Sequence, residues 1–222
     1  MPTDLRTKAI VLRRTNYGES DRILNLLTPE GKVAVMARGV RKSKSRLAGG
    51  IELFTVADVV IHQGRAKLST LTSATMLRFY GGILSDVERL ELAGKLLKQL
   101  DRASEQITNP EHFSLLSQTL CGLDRRIDPA LVQLWFNFNL ARTNGEEINL
   151  LRDIGGKTLD AAEHYLWDTN EKALCPHPKG DLGANEIKFA RFMLGEPLLK
   201  VAQVQNYQTL LSPLRQIIKN LV

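Results

Sequence analysis

Five strand-like segments follow one another in the first eighty residues, and no interval between them is long enough for a crossover helix. Parallel neighbours need a connection of about a dozen residues or more, so the succession predicts hairpins and a small antiparallel barrel. The first segments are Lys8–Arg14 and Arg22–Leu27, with Asn16-Tyr17-Gly18 as the turn between them. Thr28-Pro29-Glu30-Gly31 then makes a tight reversal, because Pro fixes φ at its second position and Gly permits a positive φ at its fourth. From Gly31 the chain alternates, placing Val33, Val35 and Ala37 on one face. Gly49-Gly50 breaks it before the Val-rich strand Leu53–Ile61, and His62-Gln63-Gly64-Arg65 turns it into Lys67–Leu77.

A five-stranded oligonucleotide/oligosaccharide-binding (OB) barrel and an SH3-like barrel both satisfy this pattern, and periodicity does not separate them. The residues after the third strand bear on use. Arg38, Arg41, Lys42, Lys44 and Arg46 crowd into a stretch with almost no apolar residue to bury, so it is expected to be a flexible, solvated loop free to meet phosphates. The alternative is a solvated charge run with no ligand. Tyr17, Phe54, Phe79 and Tyr80 are the aromatics of this segment. Phe54 reads as core, and Phe79 and Tyr80 sit at the exit, so phosphate contact rather than base stacking should dominate.

The charge balance points the same way. Residues 1–80 hold fourteen Lys and Arg against six Asp and Glu, whereas the rest of the chain holds sixteen against eighteen. The overall net charge of +6 thus belongs to the first third, as expected of a polyanion-binding module joined to a scaffold or partner-binding module. No apolar run approaches the roughly 18 residues that span a bilayer, and the N-terminus alternates like a strand, so a soluble, cytoplasmic protein with no membrane role is expected. Cys121 and Cys175 are the only cysteines and are read as thiols.

Beyond Gly81-Gly82 the apolar spacing turns helical. Ser85 and Glu88 form a predicted capping box for a helix running to about Ala103. Asn109-Pro110 and Asp128-Pro129 each place a capping side chain before Pro at the first helical position. The helix after Asp128, with Trp135, Phe136 and Phe138, is expected to centre a second core. Thr158–Trp167 is read as a short helix, and Glu186–Leu194 and Tyr207–Leu221 as longer ones.

No catalytic constellation is found. Gly156-Lys157-Thr158 imitates the end of a phosphate-binding loop, but Leu151 stands where that loop needs glycine. Cys175 and His177 lack the paired C-x-x-C ligands of a structural zinc site, so no metal and no cofactor is expected.

The N-terminal pattern KAIVLRRTNYGESDRILNLLTPEGKVAVMARGVRKSKSRLAG resembles that of the bacterial recombination mediator and DNA repair family RecO. The likeness continues more loosely into the helical region and weakens after Asn144. It implies an α+β chain: an OB domain over residues 1–80, then a helical domain over 81–222. It further implies binding of single- and double-stranded DNA, annealing of complementary strands, and no catalytic turnover. The partners it implies are RecR, in some cases RecF, the acidic C-terminal tail of single-stranded DNA-binding protein, and RecA indirectly, in a bacterial, nucleoid-associated setting. Carried onto this chain, the family's DNA face falls on Arg38, Arg41, Lys42, Lys44 and Arg46, with Arg13, Arg14 and Lys32 as flanks. Many relatives carry a zinc-finger-like insert with two C-x-x-C pairs. Here the region around 150–183 keeps only Cys175 of them and resembles a metal-free branch held by packing. Two rivals stay open: a protein–protein adaptor whose helical domain binds partners, and an RNA-binding or annealing protein.

Overall fold

The computed structural model describes residues 3–64 and 68–219. Arg65 and Lys67, at the turn into the fifth strand, and Leu221, at the end of the last helical pattern, lie outside them. By compactness the chain divides into Met1–Arg126 and Ile127–Val222.

The first unit holds β1 (Thr3–Tyr17), β2 (Asp21–Thr28), β3 (Gly31–Ala37), β4 (Thr55–Gln63) and β5 (Ser69–Phe79), followed by α1 (Val87–Gln106) and α2 (Glu111–Asp124). The strands close in the order β1-β2-β3-β5-β4. All pairings are antiparallel except the closing one, where β3 runs parallel to β5 through Val35–Ser69 and Met36–Thr70. This closed five-stranded barrel is an OB-fold, which decides between the two barrels left open by periodicity. The long β1 serves two neighbours: Thr3 to Ile10 pair with β4, and Ile10 to Tyr17 pair with β2 across an irregularity between Val11 and Arg13.

Alternation fills the barrel as expected, with Ala9, Val11, Leu24, Leu26, Val35 and Ala37 inside and Val33 against them. The other face of β1 and β2 is buried too, at Ile10, Leu12, Asn25 and Leu27, because α1 and α2 pack over it. Helices on one face of a barrel explain why these strands read as continuous apolar runs. Between β3 and β4 the chain passes over β5, and Gly50 lies so close that a Cβ there would come within 2.6 Å of the Ala74 backbone. The fourth strand starts at Thr55, not Leu53, since Phe54 is buried at φ 61° and turns the chain before it extends.

Two helix starts can be set against the sequence expectation. Asp86, not Ser85, caps α1 by accepting the Arg89 amide at 3.3 Å, while the Ser85 hydroxyl donates to the Gly82 carbonyl. The Asn109 side chain accepts the Glu111 amide at 2.9 Å, as a cap should.

The second unit holds α3 (Pro129–Thr143), the short hairpin β6 (Tyr165–Asp168) and β7 (Ala173–Pro176), then α4 (Ala184–Gly195), α5 (Leu198–Val201) and α6 (Gln208–Ile218). Asp128 caps α3 and Pro129 opens it, as the dipeptide indicates. Trp135, Phe136 and Phe138 are buried, so they are core rather than a partner groove.

The expected helix over Thr158–Trp167 is not formed. Its end is β6, where Tyr165 and Trp167 are buried alternately, and before it Thr158 bridges to Arg152 and the chain turns at Ala161 and Ala162. Local polar bonds, not packing alone, hold this region. The Asp153 carboxylate accepts the Lys157 amide at 2.9 Å, the Tyr165 hydroxyl accepts the Asp160 amide at 2.8 Å, and His177 Nδ1 accepts the Lys179 amide at 3.1 Å. Among the described residues no group of three or more His, Cys, Asp or Glu is placed to hold a metal ion.

Candidate nucleic-acid interface

The loop after β3 is not the free tether its composition suggests. Val40 is buried with the barrel core, which pins the loop near its start. Beside it, the turn between β1 and β2 supplies three polar anchors. The Asp21 carboxylate accepts the Gly39 amide at 2.7 Å, the Ser20 carbonyl accepts the Arg41 amide at 2.9 Å, and the Gly18 carbonyl accepts from Arg41 Nη1 at 3.1 Å. Gly39 takes φ 64°, in the left-handed region that a side chain disfavours. Further along, Lys42 and Ser45 amides bond back to Gly39 and Lys42 carbonyls, so the loop is a series of turns.

Asp21 is held below the usual carboxylate range. The Gly39 hydrogen bond is the largest cause, partly opposed by desolvation and aided by Ser20 and by the charges of Arg38 and Lys42. An ionised carboxylate is the better acceptor for an amide, so the anchor is strongest when Asp21 is charged.

The anchors leave the cationic ends outside. Arg38, Arg41, Lys42, Lys44 and Arg46 are all exposed, and no carboxylate of the described residues lies within ion-pair distance of any of them. Five charges without an ion-pair partner on one fixed loop make a positive spot that recruits anions and releases its screening when ion contacts form.

The three expected flanks behave differently. Lys32 is 12% exposed at its side chain, with Nζ 2.5 Å from Asp101 Oδ1, 2.8 Å from the Asp101 carbonyl and 3.1 Å from Glu105. It ties β3 to α1, with its charge answered there. Asp101, itself 8% exposed, also accepts from the Asn25 amide at 3.2 Å and pairs with Arg13 at 3.4 Å, so residues of all three leading strands converge on it. Arg14 pairs with Glu52 at 2.6 Å. Arg13 keeps an exposed guanidinium, but its charge is already answered.

Sequence reasoning missed Gly18, Ser20 and Asp21 as parts of the site. Their signal is local only in that they form the turn after an exposed strand end; their contact with the loop is a tertiary fact.

A family model described as Recombination protein O N terminal matches residues 1–80. The chain is also similar to curated proteins, to one of them over nearly its whole length. The DNA repair protein RecO of Dehalococcoides mccartyi strain CBDB1 is 30% identical over 98% of this chain and 89% of its own length. The DNA repair protein RecO of Roseiflexus sp. strain RS-1 is 32% identical over 87% of this chain and 71% of its own. That of Heliobacterium modesticaldum reaches 38% identity over a shorter stretch, 50% of this chain.

Proposed function

This chain belongs to the RecO family of DNA repair proteins, and from that premise we propose that it is a non-catalytic recombination mediator that grips DNA phosphates with the loop after β3. The observation that carries this reading is the loop itself: five exposed cations, unanswered by any carboxylate in reach, on a stretch fixed to the barrel. The site we propose is therefore Arg38, Arg41, Lys42, Lys44 and Arg46. Arg13 and Arg14 border it with charges partly answered, and Lys32 stands outside it.

The mechanism is electrostatic. Neutralising phosphates on two strands lowers their mutual repulsion, so complementary bases meet, and counterion release supplies the affinity. With about five phosphates engaged, log K against log salt should fall with a slope of roughly −3 to −5, from about −0.7 per contact on single strands and −0.9 on duplex. In the cell we propose that this activity works with RecR, and with RecF where present, to help RecA replace single-stranded DNA-binding protein.

A second surface suits one of those partners. In the second unit a groove of about 490 Å³ lies between α4 and the segment leading into α6, lined by Phe189, Phe192, Val204 and Leu210 with Lys188 at its rim and no carboxylate in its lining. An apolar floor with a cationic rim fits an acidic peptide carrying apolar residues, and we propose that the tail of single-stranded DNA-binding protein docks there. A labelled tail peptide should bind the native chain and lose affinity to Lys188→Glu; equal binding would remove this placement.

The test of the main reading is annealing of two complementary fluorescent strands coated with single-stranded DNA-binding protein. The native chain should accelerate pairing, and a folded Arg41→Ala/Lys42→Ala/Lys44→Ala variant should lose the acceleration and flatten the salt slope. No acceleration by the folded native chain at any salt would overturn the mediator reading, and an unchanged slope in the variant would overturn the assignment of the loop.

A further inference from the structure

Tyr17 ends β1 with 55% of its surface exposed, and among the described residues its side chain makes no hydrogen bond or ring contact. The other large exposed apolar groups of the first unit, Met76, Leu77, Phe79, Leu84, Val87 and Leu90, all fall in one run of sequence from β5 into α1, to which Tyr17 does not belong. Its neighbour is the cationic loop. The next residue, Gly18, accepts the Arg41 guanidinium through its carbonyl, Ser20 accepts the Arg41 amide, and Asp21, paired with Tyr17 across the hairpin, accepts the Gly39 amide.

Those three anchors fix the backbone of the hairpin tip and the loop as one piece, so Tyr17 is carried at a constant place in the chain beside the charges. An aromatic face left in water next to a phosphate-binding loop has one ready use, because every unpaired base offers a π-face of its own. A duplex offers none, since its bases are already stacked on each other.

We propose that Tyr17 is a base-stacking platform, and that it gives the loop a preference for single strands over duplex. This rests on the loop reading above and deepens it: the cations hold either form by its phosphates, and Tyr17 adds a contact only an unpaired base can make. Stacking releases no counterions, so its signature differs from that of the cations. Losing it lowers affinity at every salt concentration by the same factor and leaves the slope of the salt plot alone.

The experiment measures binding of the full chain to an oligothymidine and to a duplex of equal length across a salt series, for native protein, Tyr17→Ala, Tyr17→Phe and the triple-alanine loop variant, each checked by its melting curve. Tyr17→Ala should weaken oligothymidine binding about 5- to 100-fold with the slope unchanged, while duplex binding stays within about twofold. Tyr17→Phe should restore the single-strand affinity, and in Tyr17→Trp the indole fluorescence should be quenched by oligothymidine. Native-like single-strand binding by Tyr17→Ala, with the loop variant impaired, would overturn the stacking role alone. Equal weakening on both DNA forms would overturn it too, marking a distorted turn. Unimpaired binding by the loop variant would overturn the loop reading, and this inference with it.

Discussion

Lys32 stands at the start of β3 and Arg38 just past its end, one strand carrying both, yet the first is sunk against α1 and the second faces water. The same chemistry serves opposite ends because the surroundings differ. At Asp101 a buried carboxylate collects Lys32, Asn25 and Arg13, and every lone pair engaged there is one that holds a helix to the barrel. At the loop the nearby carboxylate, Asp21, accepts a backbone amide, so it fixes the loop's path while only partly offsetting Arg38 and Lys42 and forming an ion pair with neither. A site for polyanions is made as much by where acids are kept away as by where bases are placed.

The sharpest way to break this contrast is Lys32→Ala. Removing one partner of a buried pair should cost about 3 kcal/mol in urea unfolding, while the salt slope of the folded fraction on DNA stays native. A stable variant with a slope reduced by one contact would instead return Lys32 to the DNA face. The converse is the triple-alanine loop variant, whose slope should flatten by roughly two to three while its unfolding free energy stays within about 1 kcal/mol of native, since the removed charges are exposed and only the Arg41 bond to the Gly18 carbonyl is lost. A large loss of stability there would mean the loop's cations are structural after all.

Acid should loosen the loop. Because the folded pKa of Asp21 is depressed, its contribution is fully present above the unfolded value of about 4 and is lost as pH falls through the folded one. Faster exchange of the Gly39 amide in that acid window, measured by NMR on the folded chain, would report it, and Asp21→Ala should show the fast rate already at neutral pH. The smallest effect belongs to Arg14→Ala, whose partly exposed pair with Glu52 should be worth no more than about 0.5 kcal/mol. A cost of several kcal/mol would move Arg14 into the class of Lys32.

What was legible in the sequence was whatever is decided within a few residues. Alternation located the strands, Asp128-Pro129 located the start of α3, and charge density located the loop. The barrel's closure was not legible, because Val35 and Ser69 meet through shape rather than through any local preference. Nor was the division among the cations, since Lys32 answers a carboxylate on α1 that nothing in its own neighbourhood announces. The Thr158–Trp167 stretch misled for a different reason: its apolar residues fit a helical period over a short window, while the Asp160 side chain bonds the Ala162 amide in a local turn and Tyr165 to Asp168 pair with β7 instead.

The passage of the chain over β5 has a mechanical side. The run that carries the cations is fastened by Val40 in the barrel at one end and, at the other, by Gly50 lying against the backbone of Ala74 with no space for a side chain between them. A pull on the loop would therefore be met at two points of the barrel, one of them against β5, which is laddered along most of its length to β4. A taut strand held there would be moored to a post rather than to a rope, and the load of keeping it would fall on the barrel as a whole.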